Sequence, residues 1–191
     1  MSDIAAKWDQ IYSQRQLDEQ SVSVVLSQNA HLLPASGIAL DLACGMGADS
    51  LFLAQKGLKV TSWDCSSVAI SGLRKKADEK NVAIDAQIRD VIAHPPSKHS
   101  VDIMVVSHFL VRNMAEQITD ALKPHVLLFY QTFCRTKVSE QGPKNRDYLL
   151  EDNELLRLFS ALKLRVYREE SVLGDPEQGW RNRAMLVAEK G

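Results

Sequence analysis

The sequence predicts an α/β protein: a single doubly wound domain built on a mostly parallel sheet of seven strands. Short apolar runs alternate with segments of helical periodicity, which is the pattern of a parallel sheet covered on both faces. Glycines or acidic residues follow several of these runs, as expected for strand-to-helix turns. The length of 191 residues corresponds to about one domain, and 45% hydrophobic with 25% charged residues is typical of globular chains.

The N-terminal segment is predicted to form two helices. The first places its apolar residues on one face, namely Ile4, Trp8, Ile11 and Tyr12. The second covers 21–33 and is ended by a proline. We expect residues 1–36 to form a helical cover and residues 37–191 to form the sheet domain, the two making one structural unit.

Strands and helices then alternate along the rest of the chain. Strands are predicted, in order, at 38–43, 58–63, 82–88, 101–107, 126–133, 164–170 and 184–189. Helices are predicted between them at 48–56, 66–80, 114–123 and 152–162. Ser66 or Ser67 is expected to cap the second of these helices. Gly174, Pro176 and Gly179 indicate a loop before the last strand, which is therefore expected to run antiparallel.

Charge and cysteine content narrow the function classes. Basic and acidic residues number 23 and 24, so neither a nucleic acid nor an anionic membrane is predicted as a partner. The three cysteines are too far apart for a disulfide framework or a paired metal site, and no metal is predicted. The sequence shows no signal-peptide pattern and no apolar run near the ~20 residues of a membrane span. We therefore expect a soluble cytoplasmic protein, either a monomer or a homodimer.

Three features are predicted to meet at the carboxyl ends of the first three strands, where ligands bind in open α/β sheets. The first is the glycine-containing bend that begins at Asp41 and includes Gly45 and Gly47. The second is Asp64, which lies 19 residues after Gly45 and is suited to accept hydrogen bonds from a ribose diol. The third is Asp90. Together they predict a nucleoside-containing ligand.

The helix that follows the bend distinguishes between two such ligands. A dinucleotide fingerprint expects a small residue three positions after its second glycine, and Ser50 stands there. The neighbouring Asp49 would repel a pyrophosphate at the helix start. A ligand with a zwitterionic amino-acid end is more compatible, which favours S-adenosylmethionine over NAD.

The same residues carry a family resemblance. Ile38–Asp49 resembles motif I of the class I S-adenosylmethionine-dependent methyltransferases, which share a Rossmann-like fold. Val60–Asp64 and the serine-capped helix after it resemble the small bacterial methyltransferases related to tellurite-resistance enzymes. Asn153–Arg157 and Arg183–Ala188 are also similar to that group, so the resemblance runs from about Trp8 to Lys190. One departure is Lys123–Val126, where the family often has Lys-Pro-Gly-Gly.

The resemblance implies S-adenosylmethionine as cofactor and S-adenosylhomocysteine as product. It implies a set of cofactor-binding residues: Asp41, Ala43, Cys44, Gly45, Gly47, Trp63, Asp64, Cys65, Asp90, Val91, Ser107, and the covering residues Trp8, Tyr12 and Arg15. In this set Asp41 lies near the methionyl amino group, and Asp64 holds the ribose hydroxyls. Trp63 and Cys65 flank the adenosine, and Asp90 accepts a hydrogen bond from the adenine amine.

Methyl transfer from a sulfonium is an in-line displacement, so the acceptor must be held ~3–3.5 Å from the methyl carbon. A general base is required only when the acceptor still carries a proton. His108, after the fourth strand, is a candidate base, and Arg112 is a candidate for holding an anionic acceptor. The simpler alternatives are a solvent-facing histidine and an arginine at a helix start. The predicted acceptor is a small nucleophile such as a thiol or a chalcogen oxyanion.

Three other functions remain open at this point. A nucleic-acid methyltransferase is disfavoured because the fourth strand ends in Ser107–Leu110, not in the Asn/Asp-Pro-Pro-aromatic sequence of amine methylation. A non-catalytic sensor of S-adenosylmethionine or S-adenosylhomocysteine would carry the same binding motifs. An NAD-dependent oxidoreductase is the weakest alternative.

Overall fold

Seven strands pair into one sheet in the computed structural model, which describes residues 3–14 and 21–191. The strands are β1 (Ile38–Leu42), β2 (Lys59–Asp64), β3 (Ile84–Ile88), β4 (Val101–Ser107), β5 (Leu122–Phe133), β6 (Lys163–Glu169) and β7 (Arg183–Glu189). Their order across the sheet is β3-β2-β1-β4-β5-β7-β6. β1 to β5 pair in parallel, and β7 runs antiparallel to both of its neighbours. The predicted α/β class and the antiparallel last strand are confirmed.

The strand order places the carboxyl ends of β1 to β5 along one edge of the sheet. β1 lies between β2 and β4, so the order reverses beside β1, where open α/β sheets form a ligand crevice. Because β7 is antiparallel, its first residue reaches the same edge, and Arg183 pairs with Phe133 at the end of β5.

The helices are shorter than the sequence predicts. They are α1 (Asp3–Ser13), α2 (Val24–Gln28), α3 (Ala48–Gln55), α4 (Ser67–Glu79), α5 (Ala115–Ala121) and α6 (Glu154–Leu158). Short 3-10 helices cover Ala30–Leu32, Arg112–Met114 and Arg146–Tyr148. Ser66 caps α4 as predicted, because its hydroxyl accepts the N–H of Ala69 at 3.1 Å.

Two of these differences lie at the C-terminal ends of helices, and one of them has a clear tertiary cause. The helix predicted to reach residue 123 ends at Ala121, because Leu122 already pairs with Val101 as the first residue of β5. The register of that pairing shifts before Ile103, and this irregularity accommodates a proline near the start of the strand. The helix predicted to reach residue 162 ends at Leu158 instead.

Both faces of the sheet are covered by apolar layers. On one face, Leu42, Met104 and Tyr130 pack with residues of α5 and α6. On the other face, the cluster that contains Val105 and Phe129 includes residues of α2 and α3. Alternate residues of a strand face opposite layers, so a buried parallel sheet requires nearly continuous apolar runs. No helix within residues 3–14 or 21–191 has the length and apolar character needed to cross a bilayer.

Candidate active site

The chain leaves β1 through a bend with an unusual backbone. Ala43, Gly45 and Gly47 have φ values of 57°, 54° and 77°, which lie in the left-handed region that favours glycine. A Cβ atom at Gly47 would lie 2.3 Å from Leu73 Cδ1, so that glycine allows α4 to pack against the bend. The N–H of Cys44 donates to the carbonyl of Trp63 at 2.9 Å and anchors the bend to β2. The predicted glycine turn is therefore held by its neighbours.

Asp64 joins the end of β2 to this bend. Its carboxylate is buried and accepts the N–H of Gly45 at 2.8 Å and the N–H of Ser66 at 2.9 Å. Burial raises the pKa of Asp64, although the two hydrogen bonds oppose that shift. Each carboxylate oxygen keeps further acceptor capacity, which suits donors such as a pair of hydroxyl groups.

Two more carboxylates are buried near the bend. Asp41 accepts the hydroxyl of Ser50 at 2.5 Å, and Ser62 in turn donates to the Ser50 oxygen at 2.7 Å. Asp49 accepts the backbone N–H of Ser23 at 2.7 Å, which fixes the chain just before α2. Burial and repulsion from Asp49 raise the pKa of Asp41, and burial also raises the pKa of Asp49. Asp49 therefore lies in the first turn of α3 and also accepts a hydrogen bond from the backbone before α2.

Helix α1 lies over the bend. Its Asp9 carboxylate accepts the hydroxyls of Ser66 at 2.5 Å and Ser67 at 3.0 Å, and the N–H of Val68 at 3.2 Å. The Tyr12 hydroxyl oxygen would lie 2.8 Å from a Cβ atom placed on Gly45. Helix α1 is therefore held on the start of α4 with Tyr12 directly above the glycine.

Two of the three covering residues that the resemblance implies, Trp8 and Tyr12, lie in α1 over the bend. The rings of Trp8 and Tyr12 stack with centroids 5.6 Å apart, and Tyr12 packs with Met46 of the bend. Arg15 lies outside the described residues. Asp9 was missed, and no sequence signal links it to Ser66, because the two residues are separated by 57 positions.

The remaining implied cofactor residues lie in different environments. Trp63 and Val91 are buried in the core cluster of one sheet face, and the guanidinium of Arg89 lies 3.7 Å above the Trp63 ring. Asp90 is exposed, and its carboxylate accepts the N–H groups of two residues of the turn after β3, Ile92 and Ala93. Cys65 is half-buried beside Asp64, and burial raises its pKa to about 11. The adenosine-side roles of these residues remain predictions.

His108 lies at the end of β4, on the same edge as the bend. It is exposed and has a φ of 58°. Its Nδ1 atom is 3.2 Å from the hydroxyl of Ser107, and its ring stacks on Phe133 with centroids 4.8 Å apart. Buried Gln131 supports this corner, because its side chain donates to Ser107 at 3.3 Å and accepts the N–H of Val25 at 2.9 Å. An imidazole is thus presented beside the ends of β4 and β5.

Arg112, the candidate for holding an anionic acceptor, is paired within the protein. Its guanidinium donates to both carboxylate oxygens of Glu154, at 2.6 and 3.0 Å. It also donates to the backbone carbonyls of Asp147 and Leu149, at 2.6 and 2.9 Å. The positive charge is paired within the protein, and the contacts tie the segment between β5 and α6 to the end of β4. Arg112 therefore acts as a structural brace in this arrangement and not as a free anion-binding group.

Comparison with known proteins identifies the family of the chain. A family model described as a methyltransferase domain matches residues 39–125. The Haemophilus influenzae (strain Rd) protein named probable S-adenosyl-L-methionine-dependent methyltransferase TehB is 34% identical over 135 residues. The chain belongs to the class I S-adenosylmethionine-dependent methyltransferases. The matched part is 68% of this methyltransferase and 47% of TehB, so the chain spans about half the length of that curated relative.

Solved structures show the same fold. The crystal structure of TehB from Haemophilus influenzae superposes with a TM-score of 0.73 at 21% identity, covering 96% of this methyltransferase and 67% of that chain. Geranyl diphosphate C-methyltransferase from Streptomyces coelicolor A3(2) gives a TM-score of 0.74 at 12% identity, covering 100% and 98%. The latter was solved with Mg²⁺, geranyl diphosphate and S-adenosyl-L-homocysteine.

S-adenosylmethionine is the cofactor of this family, and the site fits such a group. Gly45 allows Tyr12 to lie directly over the bend, because a Cβ there would press on the Tyr12 hydroxyl. Asp64 supplies a buried carboxylate that is already bonded to the same glycine. A glycine cradle joined to an acceptor of hydroxyl hydrogen bonds suits a nucleoside that carries an amino-acid chain.

Proposed function

We propose that this methyltransferase transfers a methyl group from S-adenosylmethionine to a small-molecule nucleophile at the carboxyl edge of its sheet. The observation that carries the proposal is the hydrogen bond from the Gly45 N–H to the buried Asp64 carboxylate, at 2.8 Å. It joins the glycine bend of β1 to the acid of β2, the two features that bind such a nucleoside. When bound, the cofactor supplies an electrophilic methyl group on a sulfonium.

The chain's own residues provide binding, cover and proton removal. Asp64 accepts the ribose hydroxyls, and the bend at Gly45 accommodates the methionine chain. Trp8 and Tyr12 of α1 exclude water from above, since their stacked rings lie on the bend. His108 is exposed at the end of β4, where a neutral imidazole can remove a proton from an acceptor that still carries one.

The net charge of the chain and the chemistry of Cys134 both favour a small-molecule acceptor over a nucleic acid. The net charge of −1 does not favour a nucleic-acid substrate. Burial raises the pKa of Cys134 to about 12, so this thiol is not suited to attack a base as a thiolate. The resemblance adds thiols and chalcogen oxyanions as acceptors to be tried. Such acceptors are ionised near neutral pH or become so with one general base.

The first prediction concerns cofactor binding. S-adenosylhomocysteine at 100 times its Kd should stabilise the fold by about 2.7 kcal/mol, whereas NAD should not. Asp64→Asn should weaken S-adenosylhomocysteine binding at least about tenfold, because an amide loses one of the acceptor oxygens. Thermal denaturation and calorimetric titration measure both effects. Asp85→Asn, at an exposed position of β3, is the matched control and should bind like the parent.

Turnover is tested separately with labelled S-adenosylmethionine in single-turnover reactions against thiols, selenite and tellurite. Label transfer to an acceptor supports the proposal. Tight binding of S-adenosylhomocysteine with no transfer to any acceptor would instead identify a sensor of the cofactor. A stronger thermal shift with NAD than with S-adenosylhomocysteine would exclude the methyltransferase function altogether.

A further inference from the structure

A cavity of about 500 Å³ opens beside the candidate active site. It lies between α2, β6, the loop that follows β5, the loop between β6 and β7, and the start of β7. Its walls include Val24 and Gln28 of α2, together with Arg168, Trp180, Arg181 and Arg183. This volume lies within the ~300–1,000 Å³ typical of small-molecule sites. It is large enough for an organic molecule and much larger than a single inorganic oxyanion requires.

Three arginines line the cavity, and two of them are committed to the protein. Arg168 forms an ion pair with Glu170, whose carboxylate also accepts the backbone N–H of Trp180 at 2.8 Å. Arg181 donates to backbone carbonyls of its own loop, including those of Gln178 and Ser171. These contacts hold the loop that precedes β7. Of the three arginines, Arg183 is the one whose N–H donors do not hold this loop.

Arg183 and Trp180 carry donors that have no partner in the part of the chain that the structure describes. No carboxylate or carbonyl within residues 3–14 and 21–191 pairs with the Arg183 guanidinium, and its buried Nε has no hydrogen bond. Burial lowers the pKa of Arg183, although an arginine remains charged at neutral pH. Trp180 is only 7% exposed, and its indole Nε1 also has no partner. Buried donors without acceptors are unfavourable, so this corner of the protein is suited to an incoming anion.

Arg183, at the wall of the cavity, and the candidate base His108 both contact the ring of Phe133. Arg183 Cζ lies 4.9 Å from the centre of the Phe133 ring, and the His108 ring centre lies 4.8 Å from it. Phe133 ends β5 and pairs with Arg183 in the sheet. The guanidinium and the imidazole therefore lie close enough together for one organic acceptor to contact both.

We propose that Arg183 and Trp180 bind the carboxylate of an organic methyl acceptor that occupies this cavity, an assignment that rests on the proposed function. The Nε edge of a guanidinium forms paired hydrogen bonds with the two oxygens of a carboxylate. The indole N–H supplies one more donor. A phosphate generally gathers more donors than these two side chains offer, so a carboxylate is the better match.

The test measures binding first, independently of turnover. The probes are a series of monocarboxylates from acetate to indole-3-acetate, each compared with its neutral amide, in the presence of S-adenosylhomocysteine. At least one carboxylate should bind about tenfold or more tightly than its amide. Arg183→Gln should abolish that preference, and Arg183→Lys should restore part of it by keeping the charge. Trp180→Phe, which removes only the indole N–H, should reduce it about threefold or more.

Arg165→Gln is the matched control, because it removes the same charge from an exposed position of β6 that pairs with Glu189 outside the cavity. It should keep the parent's preference. Equal binding of every carboxylate and amide, an unchanged preference in Arg183→Gln, or tighter binding of phenyl phosphate than of phenylacetate would overturn the assignment.

The same titrations separate this inference from the proposed function. Binding of S-adenosylhomocysteine should be unchanged in Arg183→Gln. If the parent binds S-adenosylhomocysteine but shows no carboxylate preference, the carboxylate site is wrong and the methyltransferase proposal stands. If the parent does not bind S-adenosylhomocysteine, the proposed function fails, and with it the acceptor assignment. With 3-mercaptopropionate and 2-mercaptoethanol as acceptors, Arg183→Gln should raise KM only for the acid.

Discussion

At the residue scale, the most informative side chains are the buried carboxylates Asp41 and Asp49. Asp41 is buried, accepts a hydrogen bond from Ser50 and lies close enough to Asp49 for mutual repulsion to raise its pKa. A carboxyl group whose pKa rises on folding destabilises the folded protein when the pH is above the pKa of that group in the unfolded chain, because the folded state disfavours its ionised form. A cation beside Asp41 would offset this unfavourable effect. The resemblance places the cofactor's amino group near Asp41.

This gives a prediction for Asp41→Asn. Because the folded pKa of Asp41 is raised, its unfavourable effect is absent below pH ~4 and grows as the pH rises toward the folded pKa. The asparagine variant should therefore be more stable than the parent at pH 8, by about 1 kcal/mol or more, and similar at pH 4. Denaturant unfolding of the ligand-free protein at the two pH values measures this difference.

The same variant should bind S-adenosylmethionine more weakly, since it has lost the negative charge near the amino group. Asp85→Asn controls for a general change in charge and should show neither effect. A stability difference for Asp41→Asn that does not depend on pH would contradict the argument.

At the element scale, helix α1 is the part of the structure that covers the glycine bend. It contacts the body of the protein through Asp9, which bonds to Ser66, Ser67 and Val68 at the start of α4. These bonds lower the pKa of Asp9, so its contribution is present at neutral pH and is lost as the pH falls through the folded pKa. Tyr12 lies over Gly45 as a consequence.

Asp9→Ala should release α1 from α4 and weaken S-adenosylhomocysteine binding about tenfold, with little change in the stability of the sheet. Asp3→Ala, in the exposed first turn of the same helix, is the matched control. Calorimetric titration gives the affinities, and hydrogen exchange should show faster exchange in α1 only for Asp9→Ala. An affinity equal to that of the parent would show that α1 is not needed to hold the cofactor.

At the scale of the whole molecule, the N-terminal segment divides between two roles. Residues 1–36 were expected to form one helical cover. However, Val25 and Leu26 of α2 are fully buried in the apolar layer of one sheet face. Gln131 of β5 also accepts the N–H of Val25. Helix α2 is therefore part of the folded core, whereas α1 lies over the glycine bend.

Two truncations test this division. Removal of residues 1–20 should leave the free energy of unfolding nearly unchanged and should abolish tight S-adenosylhomocysteine binding. Removal of residues 1–36 should destabilise the fold by several kcal/mol, since burial of each large core side chain contributes about 2–5 kcal/mol. Denaturant unfolding of both proteins provides the comparison. Equal stabilities would mean that α2 does not belong to the core.

Much of the fold and part of the site were predictable because they depend on local pattern. Apolar runs identify parallel strands, and glycines identify the bend, since few other residues adopt its backbone angles. Asp64 was predictable because it ends the second predicted strand and lies 19 residues after Gly45 in the sequence. The boundaries of α5 and α6 were not, because pairing of Leu122 in β5 and the start of β6 decide where those helices stop.

The amino-acid sequence alone predicts the succession of strands and helices along the chain, the glycine bend, the acid at the end of β2 and the family. Each of these is encoded by neighbouring residues. Long-range packing establishes that Arg112 is paired with Glu154 and that Asp9 holds α1 on α4. It also leaves Arg183, beside a cavity, without a hydrogen-bond partner among the described residues. These contacts join residues that are far apart in the chain. A charged side chain finds a partner only if the fold brings a distant segment with the opposite charge or a hydrogen-bonding group next to it.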